Sequence, residues 1–296
     1  MNTDLSPDYY RDASVESAIS DSRASIDYIR SIDPLGAIVQ PIITPRFAPS
    51  CTTACLTALG QLAKDTDAHI QTHVSENKGE IELVAHMFPE SKSYTDVYDS
   101  TGLLTAKTIL AHAVHLTPDE VQLVKARGAK ISHCPASNTA LTSGCAPIRD
   151  FLNEGITVGL GTDVSGGFSP SILEEVRQAI WVSRFVAMNT SDAAKLSTEE
   201  ALYLATRGGA AVVGLEKKVG GFEVGMEFDA QMIRLGAVQD GGDKEGVFGE
   251  GPVDVFGFET GDEKVQKWVY AGDDRNTVAV WVRGRLVHTT KRFLEN

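Results

Sequence analysis

Between residues 36 and 165 the chain alternates short apolar runs with stretches in which apolar residues recur every three or four positions. The runs GAIVQPIIT (36–44), AHIQTHV (68–74), KTILAH (107–112), AKISHC (129–134) and ITVGLGTD (156–163) have the length and β-branched content of strands. A helix is predicted over 52–66, with Leu56, Leu59, Leu62 and Ala63 on one face, and another over 78–88, with Ile81, Val84 and Phe88. TPDEVQLVKARG carries a full set of helix boundary signals. Thr117 is the N-cap, Pro118 takes the first helical position, Glu120 closes a capping box, and Gly128 can end the helix. IRDFLNEG adds a short unit ending at Gly155.

Repeated strand–helix order implies a parallel sheet, because parallel neighbours need a crossover between them. Two architectures compete, a doubly wound open sheet and a (β/α)8 TIM-type barrel. In ITVGLGTD, Thr157, Gly159, Gly161 and Asp163 share one face while Val158 and Leu160 share the other. In AHIQTHV, His69, Gln71 and His73 oppose Ile70 and Val74. One small or polar face and one aliphatic face suit a barrel wall with helices outside, whereas a doubly wound sheet buries both faces and reads more uniformly aliphatic. The barrel is therefore expected.

Beyond residue 165, a helix is predicted over 171–187, with Ile172, Val176, Ala179 and Ile180 on one side, and Ser197 with Glu200 makes a second capping box. The texture then changes. VGGFEVGMEFDAQMI (219–233) and VAVWVRGRLVHTT (278–290) read as strands and hairpins broken by glycines, and GAVQDGGDKEGVFGEG (236–251) as an acidic loop. The first 35 residues hold one helix, with Val15, Ile19, Ile26 and Ile29 as its apolar face, and there is no internal repeat.

Composition narrows the classes of function. The formal net charge of -13 argues against a nucleic-acid binder, which needs clustered Lys and Arg, and favours a small neutral or polar partner. Cys51, Cys55, Cys134 and Cys145 have no disulfide-framework density, and no run of roughly 18 apolar residues marks a membrane span. MNTDLSPDYY has no signal-peptide character, so a cytoplasmic location is expected.

Barrel enzymes gather reactive groups at the C-terminal ends of their strands. Arg46, His73, Glu76, His112, His133 and Asp163 all fall there. Singly, each has an ordinary explanation: a hydrogen-bonded structural histidine, a turn-forming Asp, a solvated Glu in a first helical turn. Their recurrence at consecutive predicted strand ends is what points to chemistry. His and Asp together suit Zn²⁺, which lowers the pKa of bound water toward neutrality, and a nearby carboxylate such as Glu76 can shuttle a proton. The alternative zinc deaminase signature, H-x-E with P-C-x-x-C, is absent, and GLGTDVSGG lacks the GxGxxG of a dinucleotide fold. In ITPRF, the Arg46 fork can match the O6 and N7 acceptors of guanine and Phe47 can stack on a purine, although a surface Arg beside a core Phe reads equally well.

TPRF, HIQTHVSEN, LAHAVHL, SHCPASN and VGLGTDVSGG, in this order, together with GFEVGMEFDA and YAGDDRN, resemble the guanine deaminases of the amidohydrolase superfamily. The resemblance runs from near residue 1 to about residue 288. It implies zinc held by His73 and Asp163, with Asp163 also accepting a proton from the attacking water, and Glu76 serving the purine ring nitrogen. It implies that His112 keeps water or substrate near the metal and that Arg46 and Phe47 recognise the purine, with His73, Glu76 and Asp163 also lining its site. His133 belongs to a matching motif without an assigned role. The implied reaction is hydrolysis of guanine at C2 to xanthine and ammonia, in a cytoplasmic protein that is a homodimer when complete.

The resemblance also implies an H-x-H metal motif on a first barrel strand. The histidines here are 69, 73, 86, 112, 115, 133 and 288, and none are two apart. The expectation is an incomplete barrel, strands 4–8, over residues 1–215, followed by β-sandwich strands and final helix or loop elements over 216–296. Such a chain lacks two zinc ligands, should expose an open sheet edge, and is expected to be an inactive fragment as it stands. Two further readings stay open: a superfamily deaminase of another nucleobase-like substrate, or an inactive fragment that only binds a partner.

Overall fold

The computed structural model describes residues 2–236 and 253–290. Five strands, β1 (Ile42–Ile43), β2 (His69–Val74), β3 (Thr108–His112), β4 (Lys130–His133) and β5 (Val158–Leu160), form one parallel sheet in the order β1-β2-β3-β4-β5. Strand order follows chain order without reversal. A doubly wound sheet needs a point at which the order reverses, so this is the winding of a TIM-type barrel wall.

The helices α1 (Val15–Ile32), α2 (Thr53–Thr66), α3 (Lys78–Met87), α4 (Tyr94–Ser100), α5 (Pro118–Arg127), α6 (Pro135–Ala140), α7 (Ile148–Asn153) and α8 (Ile172–Asn189) precede, separate and follow these strands. The capping boxes at Thr117/Glu120 and Ser197/Glu200 are both formed, and Gly128 ends α5 in the left-handed conformation at φ 67°. On the sheet's aliphatic face Ile70, Val74, Leu110, Ile131 and Val158 pack with Leu56, Leu59 and Leu62 of α2, Val84 of α3, Val124 of α5 and Phe151 of α7. Each fully buried aliphatic side chain there contributes about 1.5–3 kcal/mol.

The other face carries His69, Gln71, His73, Ala111, Ser132, Gly159 and Gly161, as the alternation predicts. Its N-terminal half is covered by a π-helical turn (Leu204–Gly208) and α10 (Gly209–Val212), which follow α9 (Thr198–Tyr203). This cover sits very close because both surfaces are glycine: a Cβ on Gly159 would stand 2.8 Å from the Gly209 Cα. The C-terminal half of the face is left for the site.

Two strand predictions are corrected. Residues 36–41 do not pair, because the Asp33 carboxylate accepts from the N–H groups of Ala37, Ile38 and Val39 at 3.0, 2.6 and 2.9 Å. That loop leaves only Ile42–Ile43, between Pro41 and Pro45, to form β1. In the C-terminal segment, 219–229 is irregular and only β6 (Ala230–Ile233) pairs, with β7 (Thr277–Val282) and β8 (Arg285–Thr289), in an antiparallel sheet. The β7–β8 hairpin turns at Arg283 and Gly284, whose φ values of 53° and 75° match the right-handed strand twist. A helix that the residue pattern had not placed, α11 (Gly261–Ala271), lies against α8, where Val176, Ile180 and Val269 share a small core. Arg177 of α8 donates to the main-chain oxygens of Val269 and Gly272 at the end of α11. The predicted acidic loop, beyond Gly236, and the final residues 291–296 lie outside the described residues.

Candidate active site

The sheet delivers its polar residues to one end. His73 is the penultimate residue of β2, His112 the last of β3, His133 the last of β4, and Asp163 follows β5 by three residues. Backbone geometry marks the same end: Ser75, His112, Ala113 and Asp163 have φ of 48°, 71°, 50° and 46°, a region that non-glycine residues seldom occupy. Such strain persists where surrounding structure over-determines it, and it clusters at functional sites.

His73, His112 and Asp163 each bring one metal-binding atom to within 4.8 Å of the others. The imidazole rings of His73 and His112 have centroids 4.9 Å apart. His73 Nδ1 lies 2.7 Å from the Arg46 main-chain oxygen; a carbonyl only accepts, so Nδ1 carries the proton and Nε2 the lone pair. His112 Nδ1 donates to Asn138 Oδ1 at 2.9 Å, so here too a ring proton sits on Nδ1. That Nε2 is buried without a hydrogen-bond partner, 3.8 Å from Glu76 Oε2 and 4.0 Å from Asp163 Oδ2. Burial, and then the neighbouring His112, hold the His73 imidazole below its ordinary pKa, which favours the neutral form a metal requires. Two imidazoles and a carboxyl group, with second hydrogen bonds fixing each, fit a divalent metal; three protein donors with a fourth position open is the pattern of catalytic rather than structural zinc.

The remaining predicted residues fall in three places. Glu76 joins the cluster, its Oε1 accepting from Ser143 Oγ at 3.0 Å. Arg46 and Phe47 stand at the rim, the guanidinium carbon 5.2 Å from the Phe47 ring centre and that ring edge-on to His73 at 6.4 Å. His133 is different. It sits fully buried on the aliphatic face, both ring nitrogens lack a hydrogen-bond partner, and burial pushes its pKa down to about 3. It is not among the grouped metal-binding atoms.

Sequence reasoning missed the residues that support the cluster. Tyr98 of α4 donates to the His73 carbonyl and accepts from Ala48 N–H and Thr72 Oγ1 at 2.7, 2.9 and 3.0 Å. Ser137 Oγ donates to Asp163 Oδ2 at 2.7 Å. The usable signal was SHCPASN, whose polar residues directly follow a strand end.

A parallel barrel-type sheet with His, His and Asp converging at its C-terminal end, beside a glutamate, offers the donor set of a divalent-metal site. The family assignment agrees: residues 3–287 match the model of the amidohydrolase family, and the chain belongs to that family. A probable guanine deaminase of Schizosaccharomyces pombe is 49% identical over 284 residues, covering 96% of this chain and 52% of that protein. The guanine deaminase of Dictyostelium discoideum is 42% identical over 282 residues, covering 95% and 60%. The chain thus spans little more than half the length of these relatives. The crystal structure of guanine deaminase from C. acetobutylicum with bound guanine superposes with a TM-score of 0.83 at 32% identity, covering 97% of this chain and 64% of that one. No helix among the described residues is long and apolar enough to cross a membrane.

Proposed function

We propose that these residues form a guanine deaminase-type site that hydrolyses guanine to xanthine and ammonia with the help of zinc. The observation that carries this reading is the convergence of His73, His112 and Asp163 with Glu76 at 3.8 Å from His112 Nε2. The similarity to guanine deaminases, one of them with guanine bound, supports the substrate.

His73 and Asp163 would hold the metal, with His112 either completing the donor set or steering water and substrate. Zinc supplies Lewis acidity and makes water a nucleophile near neutral pH. The Arg46 fork reads O6 and N7 of the purine and Phe47 offers an apolar face for it. As the water oxygen bonds to C2, Asp163 takes one of its protons and Glu76 carries a proton to the adjacent ring nitrogen. The C2–amino bond then breaks as Asp163 passes its proton to the amino group, which leaves as ammonia; the hydroxyl gives its remaining proton back to Glu76, and water's oxygen remains as the new carbonyl of xanthine. In this reading β1–β5 are strands 4–8 of the barrel, within residues 1–215, and residues 216–296 contribute C-terminal β strands. A homodimer and a cytoplasmic setting belong to the same proposal.

The test measures zinc content and guanine turnover on one set of samples. If His112 makes up for the H-x-H pair whose absence argues for an inactive fragment, the chain should hold about one zinc, His73→Ala and Asp163→Ala should lose it, and Glu76→Gln should keep it while turnover falls by about 10²-fold or more. Zinc absent from the wild type would overturn the metal reading. Zinc bound without guanine turnover would overturn the deaminase reading.

A further inference from the structure

One short segment reaches every reactive carboxyl and imidazole that lacks another anchor. Ser137 Oγ donates to Asp163 Oδ2 at 2.7 Å, Asn138 Oδ1 accepts from His112 Nδ1 at 2.9 Å, and Ser143 Oγ donates to Glu76 Oε1 at 3.0 Å. These partners stand at the ends of three different strands, yet their supports lie within residues 137–143. The segment is itself held at both ends. Ala136 N–H donates to the buried Glu175 carboxyl at 3.1 Å, and His115 Nε2 donates to the Ser143 carbonyl at 2.8 Å. Between them, Ser143 N–H closes back on the Asn138 carbonyl at 2.8 Å.

Ser137 and Asn138 are fully buried, where a polar side chain is costly unless bonded. Their site-facing bonds are therefore not surface accidents. Asn138 goes further: its Nδ2 is buried without a partner while its Oδ1 faces His112. An amide used only for packing would be better replaced by an apolar group of similar shape. What the amide oxygen achieves is to fix which ring nitrogen of His112 carries the proton. With Nδ1–H bonded to Asn138, Nε2 presents its lone pair toward Asp163 and Glu76. Reversed, an Nε2–H would be a buried donor with its nearest carboxyl oxygens at 3.8 and 4.0 Å, beyond hydrogen-bond length.

We propose that Asn138 is a positioning residue that sets the His112 tautomer, and that Ser137 and Ser143 likewise fix the carboxyl orientations of Asp163 and Glu76. This deepens the metal-site reading and rests on it for its purpose, but not for its test. Long-range ¹H–¹⁵N NMR on the metal-free chain at about pH 8, where free imidazole is neutral, reads the tautomer directly, with His112→Gln assigning the ring. The wild type should show Nδ1–H, Asn138→Asp should retain it, and Asn138→Leu should shift the tautomer ratio toward Nε2–H by at least about fivefold, the worth of one neutral hydrogen bond. An Nε2–H tautomer in the wild type overturns the proposal even if Asn138→Leu fails to fold. An unchanged Nδ1–H in folded Asn138→Leu overturns it as well. A chain with the tautomer set by Asn138 but no zinc uptake would sink the metal reading and leave this one standing.

Discussion

Replacing Tyr98 by Phe removes a single oxygen on which three backbone and side-chain groups converge. Tyr98 is fully buried, and burial pushes its phenol well above the usual range, so it stays a donor at any working pH. Of its partners, Thr72 Oγ1 can turn toward the Arg46 carbonyl at 3.5 Å, but the Ala48 N–H and the His73 carbonyl cannot rotate to another partner. Each buried backbone group left unpaired costs about 1–3 kcal/mol, so the loss should be about 2–5 kcal/mol. A water does not restore it, since the vacated hydroxyl is smaller than the roughly 30 Å³ a water occupies. Urea unfolding followed by circular dichroism should show the midpoint lowered by about 1 M, given slopes of a few kcal/mol per molar for a chain of this size. Thr72→Val, which removes only the redundant partner, should cost about 1 kcal/mol or less. A Tyr98→Phe midpoint indistinguishable from wild type would refute the reasoning, because it would mean the segment carrying Arg46 and Phe47 is not tied to β2 through this hydroxyl.

Gly60→Ala should lower stability by about 1–3 kcal/mol, because its Cβ would stand 2.0 Å from the Thr101 main-chain oxygen and force α2 away from the end of α4; thermal melts would show it, and an unchanged Tm would contradict the packing described. Burial pushes the Glu175 carboxyl up to about 7, partly offset by the Ala136 N–H bond. The folded state therefore binds this proton more tightly than the unfolded state. Its contribution to stability is intact below pH 4.5 and is lost as pH rises toward 7, by up to roughly 1.4 kcal/mol per unit. Glu175→Gln should flatten that limb in urea midpoints measured from pH 5 to 8; a slope identical to wild type would show that another group sets it.

Elements specified by local chemistry were legible in the sequence. Thr117, Pro118, Glu120 and Gly128 mark α5 because capping needs only neighbours within one turn. The two-faced strands disclosed a barrel wall, since alternation survives without knowledge of partners. GAIVQPIIT misled because Asp33, outside the window, takes the N–H groups that a strand would need. In the site, the strand-end positions of His73, His112 and Asp163 could be read from the sequence, while the approach of their three metal-binding atoms to one another could not, because the reach of His112 depends on the left-handed turn at 112–113. His133 shows the reverse failure: the same strand-end position, one residue of alternation away, aims a histidine into the aliphatic core.

The outermost strand, β1, has a consequence for how these molecules behave in concentrated solution. Leu35 and Ile38 nearby are 88% and 87% exposed, and the sheet edge at Ile42 is open, a combination that ordinarily invites chains to add to one another strand by strand. Here the template is two residues long with a proline at each flank, Pro41 and Pro45, and proline has no N–H to donate. At the opposite edge, β5 is three residues long and is flanked by the glycine contacts of the π-turn and α10. Self-association through this surface would therefore be greasy and reversible rather than templated, dispersing on dilution and failing to seed fibres.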